Sequence, residues 1–164
     1  MTIRFGILTL SDRSSRGERE DASGPALARL IEAENWTVAK KALLPDDESA
    51  IRAILMEWAD SGEIDVILTT GGTGLAPRDV TPEATRAVLD REAPGLAEAM
   101  RAASLKITPH AMLSRIVTGI RKKTLIINLP GSPKGAVENL QVVLPIVPHA
   151  VQLLRDDPAS EATH

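Results

Sequence analysis

The chain has 164 residues, a formal net charge of −3 and 43% hydrophobic residues, values typical of one folded domain with a substantial core. It contains no cysteine, which excludes disulfides, zinc–thiolate sites and thiol nucleophiles. Only 2% of the residues are aromatic and there is no concentrated basic run, so we expect no nucleic-acid partner. No signal peptide and no uninterrupted apolar run of about 20 residues is present, so we expect a cytoplasmic protein with no membrane partner.

Strands and helices are predicted to alternate along the chain. Apolar patterns predict strands over 3–10, 36–44, 65–70, 113–120 and 124–130. Helices are predicted to begin at Ser23 and at Thr81, each of which is expected to cap its helix from the position before the first turn. Further helices are predicted to begin after Pro45, at Pro94 and at Ser132. Pro145 and Pro148 divide the last helical region, because proline lacks the N–H donor. We assign residues 1–155 to a single domain and residues 156–164 to a polar C-terminal tail.

The alternation predicts an α/β fold of three layers, in which a mostly parallel sheet lies between helices on both faces. In such sheets, ligands bind beyond the carboxyl ends of the strands. Four predicted strands are followed there by polar or glycine-rich residues: SDR, LPDD, TTGGTG and NLPGSPKG. We name residues 11–17, 45–48, 70–79 and 130–134 the strand-exit loops, and predict that they converge on one pocket.

The glycine-rich loop TTGGTG, residues 69–74, follows the third strand. Glycine permits positive φ angles and close approach of the backbone, so the loop favours binding of a ligand such as phosphate over a simple tight turn. It lacks the lysine of a P-loop, and Pro77 replaces the third glycine of the dinucleotide fingerprint. The residues of this loop assigned to substrate binding are Thr70, Gly71, Gly72, Thr73 and Gly74.

The other strand-exit loops supply further candidates. After the first strand these are Ser11 and Asp12, and at the end of the last strand they are Asn128, Pro130, Gly131, Ser132 and Lys134. A lysine in the first turn of a helix is unfavourable for the helix dipole, which favours a phosphate-facing role for Lys134 over an exposed one.

Three aspartates in these loops have two interpretations each. Asp46 and Asp47 precede a helix, so they are either site carboxylates or helix caps. Asp79 is either a site carboxylate or a structural residue that caps a turn or pairs with Arg78. From the residues alone the two interpretations are evenly balanced.

The motifs TTGGTG, PRDVTPEAT, LSR and NLPGSPKG, in this order, resemble the molybdopterin-binding domain family of molybdenum-cofactor biosynthesis. The resemblance extends from LTLSDR near the start to HAVQLL near the end and is closest to the single-domain bacterial members. It implies a homotrimer that transfers AMP from ATP to the terminal phosphate of molybdopterin with Mg²⁺, releasing pyrophosphate. It also implies hand-over of adenylyl-molybdopterin to a molybdate-inserting protein.

The resemblance places two functionally important aspartates of the family at Asp46 and Asp79, and gives Asp47 no such role. Nucleotidyl transfer between phosphates needs N–H donors, a cation held by carboxylates, and aligned reactants, but no protein nucleophile. We therefore expect Asp46 and Asp79 to be catalytic and to hold the metal. Two alternatives are a non-catalytic molybdopterin-binding or carrier protein and an enzyme that acts on another nucleotide.

Overall fold

A computed structural model describes residues 1–163, which contain one six-stranded sheet. The strands are β1 (Arg4–Leu10), β2 (Thr37–Leu44), β3 (Val66–Thr70), β4 (Arg91–Glu92), β5 (Thr118–Arg121) and β6 (Thr124–Leu129). Their order across the sheet is β2-β1-β3-β6-β5-β4. β2, β1, β3 and β6 are parallel neighbours, whereas β5 runs antiparallel to both β6 and β4. The predicted mostly parallel sheet is confirmed.

Helices cover both faces of this sheet. The α-helices are α1 (Asp12–Ser15), α2 (Ser23–Ala33), α3 (Glu48–Asp60), α4 (Thr81–Val88), α5 (Pro94–Leu105), α6 (Pro133–Val143) and α7 (Val147–Arg155), with 3₁₀ helices at Pro109–Leu113, Leu144–Ile146 and Pro158–Thr163. Buried side chains of α2, α5, α6 and α7 form one core cluster with the sheet, and those of α3 and α4 form a second. The predicted three-layer arrangement is therefore confirmed.

The central strands are apolar on both faces because both faces are covered. In β6, Leu125 and Ile127 pack in the first cluster, and the intervening Ile126 packs in the second. β3 alternates in the same way. Side chains of a strand alternate between faces, so a strand buried on both sides appears as a continuous apolar run.

The strand predicted over 113–120 is wrong in its first half, since β5 begins at Thr118. In the segment before β5, the backbone carbonyls of Ser114 and Ile116 are hydrogen-bonded by a side chain and not by a neighbouring strand. Arg101 of α5 donates hydrogen bonds to the carbonyls of Ser114 and Ile116, both at 3.2 Å. A side chain on a neighbouring helix therefore replaces the strand partner that the apolar pattern suggested.

The predicted caps at Ser23 and Thr81 are also wrong, because each of these residues is the first residue of its helix. Ser23 Oγ donates to the carbonyl of Gly131 at 2.6 Å, and Thr81 Oγ1 donates to the carbonyl of Gly71 at 3.0 Å. The two hydroxyls join α2 and α4 to the strand-exit loops instead of capping their own helices.

The helical run Pro133–Arg155 has 23 residues and a mean hydropathy of 1.2. By length and composition only, it is long and apolar enough to cross a membrane. Core helices of soluble proteins pass the same test. Here Leu140, Val143, Val147 and Val151 pack in the first core cluster, whereas Val142, Ile146 and Leu153 are exposed, so one side of the run packs against the sheet. The polar tail that follows forms the last 3₁₀ helix, in which Ser160 is buried, and His164 lies outside the described residues.

Candidate active site

The four strand-exit loops lie at one edge of the sheet, because β1, β2, β3 and β6 are parallel and their ends are in register. Leu10 pairs with Leu44, and Thr70 pairs with both Thr9 and Leu129. The loops surround a cleft of about 300 Å³, which we call the polar cleft. Of the predicted site residues, it is lined by Ser11, Asp46, Thr70, Gly71, Gly72, Asp79, Gly131 and Ser132.

The glycine loop has conformations that other residues adopt poorly. Gly71 and Gly72 have φ angles of +105° and +67°. A Cβ atom on Gly71 would collide with the carbonyl of Leu10, and one on Gly72 would collide with Thr81 Oγ1 and lie 3.0 Å from Asp46 Oδ1. Gly71 therefore packs against the end of β1, and Gly72 packs against α4 and the second strand-exit loop, with no room for a side chain at either position.

Asp46 has one carboxylate oxygen that is bonded and one that is not. Oδ2 accepts from the backbone N–H of Asp12 at 3.1 Å, and the N–H of Asp46 donates to Asp12 Oδ1 at 2.8 Å. Among the side chains of residues 1–161, Oδ1 is the one buried polar atom without a hydrogen-bond partner. A buried acceptor left unpaired is costly, so it indicates a missing partner such as a cation or a donor on a ligand.

Burial raises the pKa of Asp46 above its ordinary value, and the negative charges of Asp12 and Asp79 add to this effect. Hydrogen bonding from Asp12 N–H and the charge of Arg78 act in the opposite direction. Asp46 and Asp79 line the same polar cleft. A bound cation would reverse the repulsion between the two carboxylates.

Asp79 is held by its own loop. Its Oδ2 accepts from the N–H of Ala76 at 3.0 Å, and its N–H donates to the carbonyl of Ala76 at 2.9 Å. The side chain nevertheless lines the polar cleft. Asp47, in contrast, caps α3 by accepting from the N–H of Ser49 at 3.2 Å. Asp47 is thus a helix cap that lies outside the cleft, Asp46 lines the cleft, and Asp79 both caps its own turn and lines the cleft.

Ser132 places the beginning of α6 beside the polar cleft. Its Oγ caps the helix by accepting from the N–H of Gly135 at 3.1 Å, and Pro133 also lines the cleft. The side chain of the neighbouring Lys134 is 82% exposed, its Nζ lies 3.9 Å from Glu138 Oε1, and it is not among the residues that line the polar cleft. The helix terminus therefore faces the site, while the Lys134 side chain extends into solvent.

Sequence reasoning missed two cations of the polar cleft, Arg19 and Arg78. Arg19 belongs to the segment before α2, and Arg78 directly precedes Asp79. Guanidinium groups are suited to binding phosphate oxygens. For Arg78 a signal existed, namely its position beside Asp79 in the PRD motif. For Arg19 no pattern indicated that the segment folds back over the cleft.

A second cleft of about 310 Å³ adjoins the first, and Ser132 lines both. We call it the apolar cleft, because much of its wall comes from residues such as Ile107, Ala111 and Leu113 between α5 and β5. Three predicted site residues line this cleft and not the polar one: Thr73, Gly74 and Pro130. The glycine loop thus separates two neighbouring clefts.

Two predicted site residues have structural contacts instead. Asn128 is fully buried; its side chain donates to the hydroxyls of Thr69 and Thr85 at 2.9 Å each and accepts from Val117 N–H. Asp12 lines neither cleft, and its described contacts are with Asp46 and the α1 backbone.

Comparison with known proteins finds relatives that match most of the chain, and they belong to the family that the sequence motifs resemble. Residues 6–149 match the family described as "Probable molybdopterin binding domain". The chain is 44% identical over 155 residues to molybdopterin adenylyltransferase of Helicobacter pylori strain J99, covering 93% of this chain and 88% of that protein. It is 47% identical over 157 residues to the molybdenum cofactor synthesis protein cinnamon of Drosophila melanogaster, covering 95% of this chain but spanning only 26% of that protein.

Among solved structures, the molybdopterin biosynthesis enzyme MoaB of Thermus thermophilus is similar to this chain. It has a TM-score of 0.90 and 54% sequence identity, with coverage of 96% of this chain and 99% of that one. The fold described above is therefore that of the MoaB structure.

Proposed function

The chain belongs to the molybdopterin-binding domain family, and on that premise we propose that it transfers AMP from ATP to the terminal phosphate of molybdopterin. The family resemblance found in the sequence is confirmed. The observation that carries the proposal is the polar cleft, in which Asp46, Asp79, the glycine loop and the N-terminus of α6 converge; Glu20 and Asp21 also line it. A full-length relative of similar size is named for this activity.

The reaction forms one bond and breaks one. An oxygen of the molybdopterin phosphate bonds to the α-phosphorus of ATP, and the bond from that phosphorus to the α,β-bridging oxygen breaks, so pyrophosphate leaves. No protein nucleophile is needed. The residues must instead align the two phosphates and stabilise negative charge, which is the chemistry that preorganised donors provide best.

In this proposal the phosphates occupy the polar cleft. Pro133 has no N–H, and the N–H of Gly135 is bonded to Ser132 Oγ, so the first turn of α6 offers the phosphates the N–H of Lys134 and the positive end of the helix dipole. Arg19 and Arg78 add two guanidinium groups. Thr70 is fixed by donating its hydroxyl to the carbonyl of Pro130 at 2.7 Å, which ties the glycine loop to the last strand-exit loop. The cleft is thus a rigid cradle for a polyphosphate.

The carboxylates fit a Mg²⁺ ion bound together with ATP. In residues 1–163 no group of three or more potential metal ligands occurs, so the protein alone does not form a metal cage. Mg²⁺ is commonly held by one or two carboxylates plus substrate phosphates. Asp46, with its unpaired buried Oδ1, and Asp79 would hold it. When bound, the ion neutralises charge on the phosphates of the transition state.

The apolar cleft suits the flat ring system of one substrate. Its wall of Ile107, Ala111 and Leu113 buries apolar surface, while Ser114 and Asn139 offer polar groups to ring nitrogens and oxygens. The low aromatic content of the chain means that aliphatic packing must replace ring stacking. Two adjoining clefts match a reaction that joins two substrates through their phosphates.

The family resemblance further supports a cytoplasmic homotrimer that hands adenylyl-molybdopterin to a molybdate-inserting protein. Light scattering of the purified protein tests the trimer. A stable monomer at working concentration would contradict it.

The activity is tested by incubating the purified protein with molybdopterin, ATP and Mg²⁺ and analysing the products by mass spectrometry. We expect adenylyl-molybdopterin and pyrophosphate in equal amounts, and no product without Mg²⁺. Tight binding of molybdopterin without product would instead identify a carrier protein. Transfer of AMP only to a different phosphate acceptor would identify another nucleotide enzyme.

A further inference from the structure

Arg115, in the LSR motif before β5, binds the glycine loop from outside the two clefts. Its Nε donates to the carbonyl of Gly74 at 2.8 Å and its Nη2 donates to the carbonyl of Asp79 at 2.7 Å. Its backbone N–H donates to the carbonyl of Thr73 at 3.0 Å. The third nitrogen, Nη1, pairs with Glu83 in the first turn of α4 at 2.6 Å. Arg115 lines neither the polar nor the apolar cleft.

These bonds close the loop that carries Asp79. The carbonyls of Gly74 and Asp79 lie at the two ends of a short surface loop. Leu75, the first residue between these ends, is 64% exposed. Inside the loop, Asp79 Oδ2 accepts from the N–H of Ala76. The direction of the carboxylate therefore depends on the shape of the loop, and the guanidinium of Arg115 binds both ends of that loop.

Arg115 is itself held in place by a second arginine. Arg101 of α5 donates to the carbonyls of Ser114 and Ile116, the residues on either side of Arg115, at 3.2 Å each. The backbone around Arg115 is thus fixed to α5. A rigid support behind a site residue is what keeps it within the narrow geometry that catalysis needs.

We propose that Arg115 is a positioning residue, which acts through the loop of residues 73–79 to hold the Asp79 carboxylate toward the polar cleft. The effect of Arg115 on the reaction rate rests on the proposed adenylyl transfer. Its effect on the loop structure is independent of that proposal. Lysine cannot replace it, because a single ammonium group cannot span the carbonyls of Gly74 and Asp79 and the carboxylate of Glu83 in the planar arrangement of a guanidinium.

The test compares Arg115→Lys and Arg115→Ala with Arg121→Ala. Arg121 is a matched control, since it also binds a carboxylate, Asp60, and a backbone carbonyl, Val88, but at the far end of β5. Amide hydrogen exchange reports the loop directly, through the N–H groups of Ala76 and Asp79, which are bonded within it. Steady-state kinetics of adenylyl transfer report the consequence.

We expect both Arg115 variants to exchange these two amides faster than wild type and to lose kcat by ~10-fold to 100-fold, with a smaller change in KM for ATP. Arg121→Ala should lower stability while leaving loop exchange and kcat near wild type. Unchanged loop exchange and kcat in folded Arg115→Lys would overturn the proposal. If wild type itself transfers no AMP, the proposed function fails, and the exchange comparison alone decides whether Arg115 holds the loop.

Discussion

Asp12 and Asp46 hydrogen-bond each other reciprocally, since the backbone N–H of each donates to the carboxylate of the other, at 3.1 and 2.8 Å. The pair joins the first two strand-exit loops. It uses one oxygen of Asp46 and leaves the other, Oδ1, buried without a partner. The structure thus fixes a carboxylate in a position where its own charge is unfavourable, which is typical of a functional site.

This cost predicts that Asp46→Asn stabilises the fold at neutral pH. A folded-state pKa above the ordinary value of 3.8 means that the native state holds the proton more tightly than the unfolded chain. Ionisation of Asp46 therefore lowers the free energy of unfolding as pH rises through the raised pKa. Denaturant unfolding of both proteins at several pH values should show the variant more stable at pH 7. The advantage should shrink as pH falls toward 3.8. A variant that is less stable at every pH would contradict the prediction.

Gly72→Ala should impair both stability and activity, with Gly62→Ala as its control. The two glycines have similar φ angles, +67° and +74°, but only Gly72 has neighbours where a Cβ would lie. We expect Gly62→Ala to cost about 1 kcal/mol of backbone strain and to retain activity. Gly72→Ala should cost roughly 2–4 kcal/mol, because its methyl group also meets Thr81 and Asp46. Equal thermal shifts in the two variants would show that the loop has room for a side chain.

The buried Asp65, paired with the partly exposed Arg4 and Arg155 at the opposite end of the strands, predicts a stability effect without an activity effect. Burial acts to raise the pKa of Asp65, but hydrogen bonds from Arg4 and Arg155 outweigh it and lower the pKa below its ordinary value. The ionised Asp65 carboxylate, bonded by Arg4 and Arg155, therefore stabilises the fold above pH 3.8. This stabilisation is lost as pH falls through the lowered pKa of Asp65. Asp65→Asn should cost roughly 2–4 kcal/mol at pH 7, less at low pH, and leave kcat unchanged. A loss of kcat in Asp65→Asn would contradict the prediction and show that these ion pairs affect the candidate active site.

The sheet and the convergence of its loops were predictable because a strand buried on both faces has an unmistakable apolar pattern. β1, β3 and β6 begin and end within about one or two residues of their predicted bounds. The last strand illustrates this well, since Leu125, Ile126 and Ile127 must all be apolar to pack on both faces. Once parallel strands are known, the edge at which their loops meet follows from topology alone.

The parts that were not predictable depend on contacts distant in sequence. Asn128 lies in a strand-exit motif, but its amide is used inside the core by Thr69 and Thr85. The apolar cleft is built by the segment between α5 and β5, whose path is set by Arg101 and not by any local pattern. The phosphate role of Lys134 stays a prediction, which Lys134→Ala tests by comparing binding of phosphorylated and dephosphorylated molybdopterin.

Asp46 and Asp79 provide the sharpest test of mechanism, because the chain offers a neighbouring carboxylate, Asp47, as a control. Asparagine keeps the shape of aspartate but removes the negative charge that a divalent cation needs. We expect Asp46→Asn and Asp79→Asn to fold, to bind molybdopterin, and to lose roughly a hundredfold or more in the rate of adenylyl transfer. This loss corresponds to about 2.7 kcal/mol of transition-state stabilisation. Higher Mg²⁺ concentrations should recover part of the rate in at least one variant.

Asp47→Asn is the control, since Asp47 caps α3 through Ser49 N–H and asparagine caps equally well. It should therefore retain both stability and turnover, although it changes the net charge by the same amount one residue away from Asp46. A rate loss shared by all three variants would point to a general electrostatic effect on ATP binding. Near wild-type turnover in both Asp46→Asn and Asp79→Asn would remove these carboxylates from the reaction, because neither charge would then be needed to stabilise the transferred phosphate.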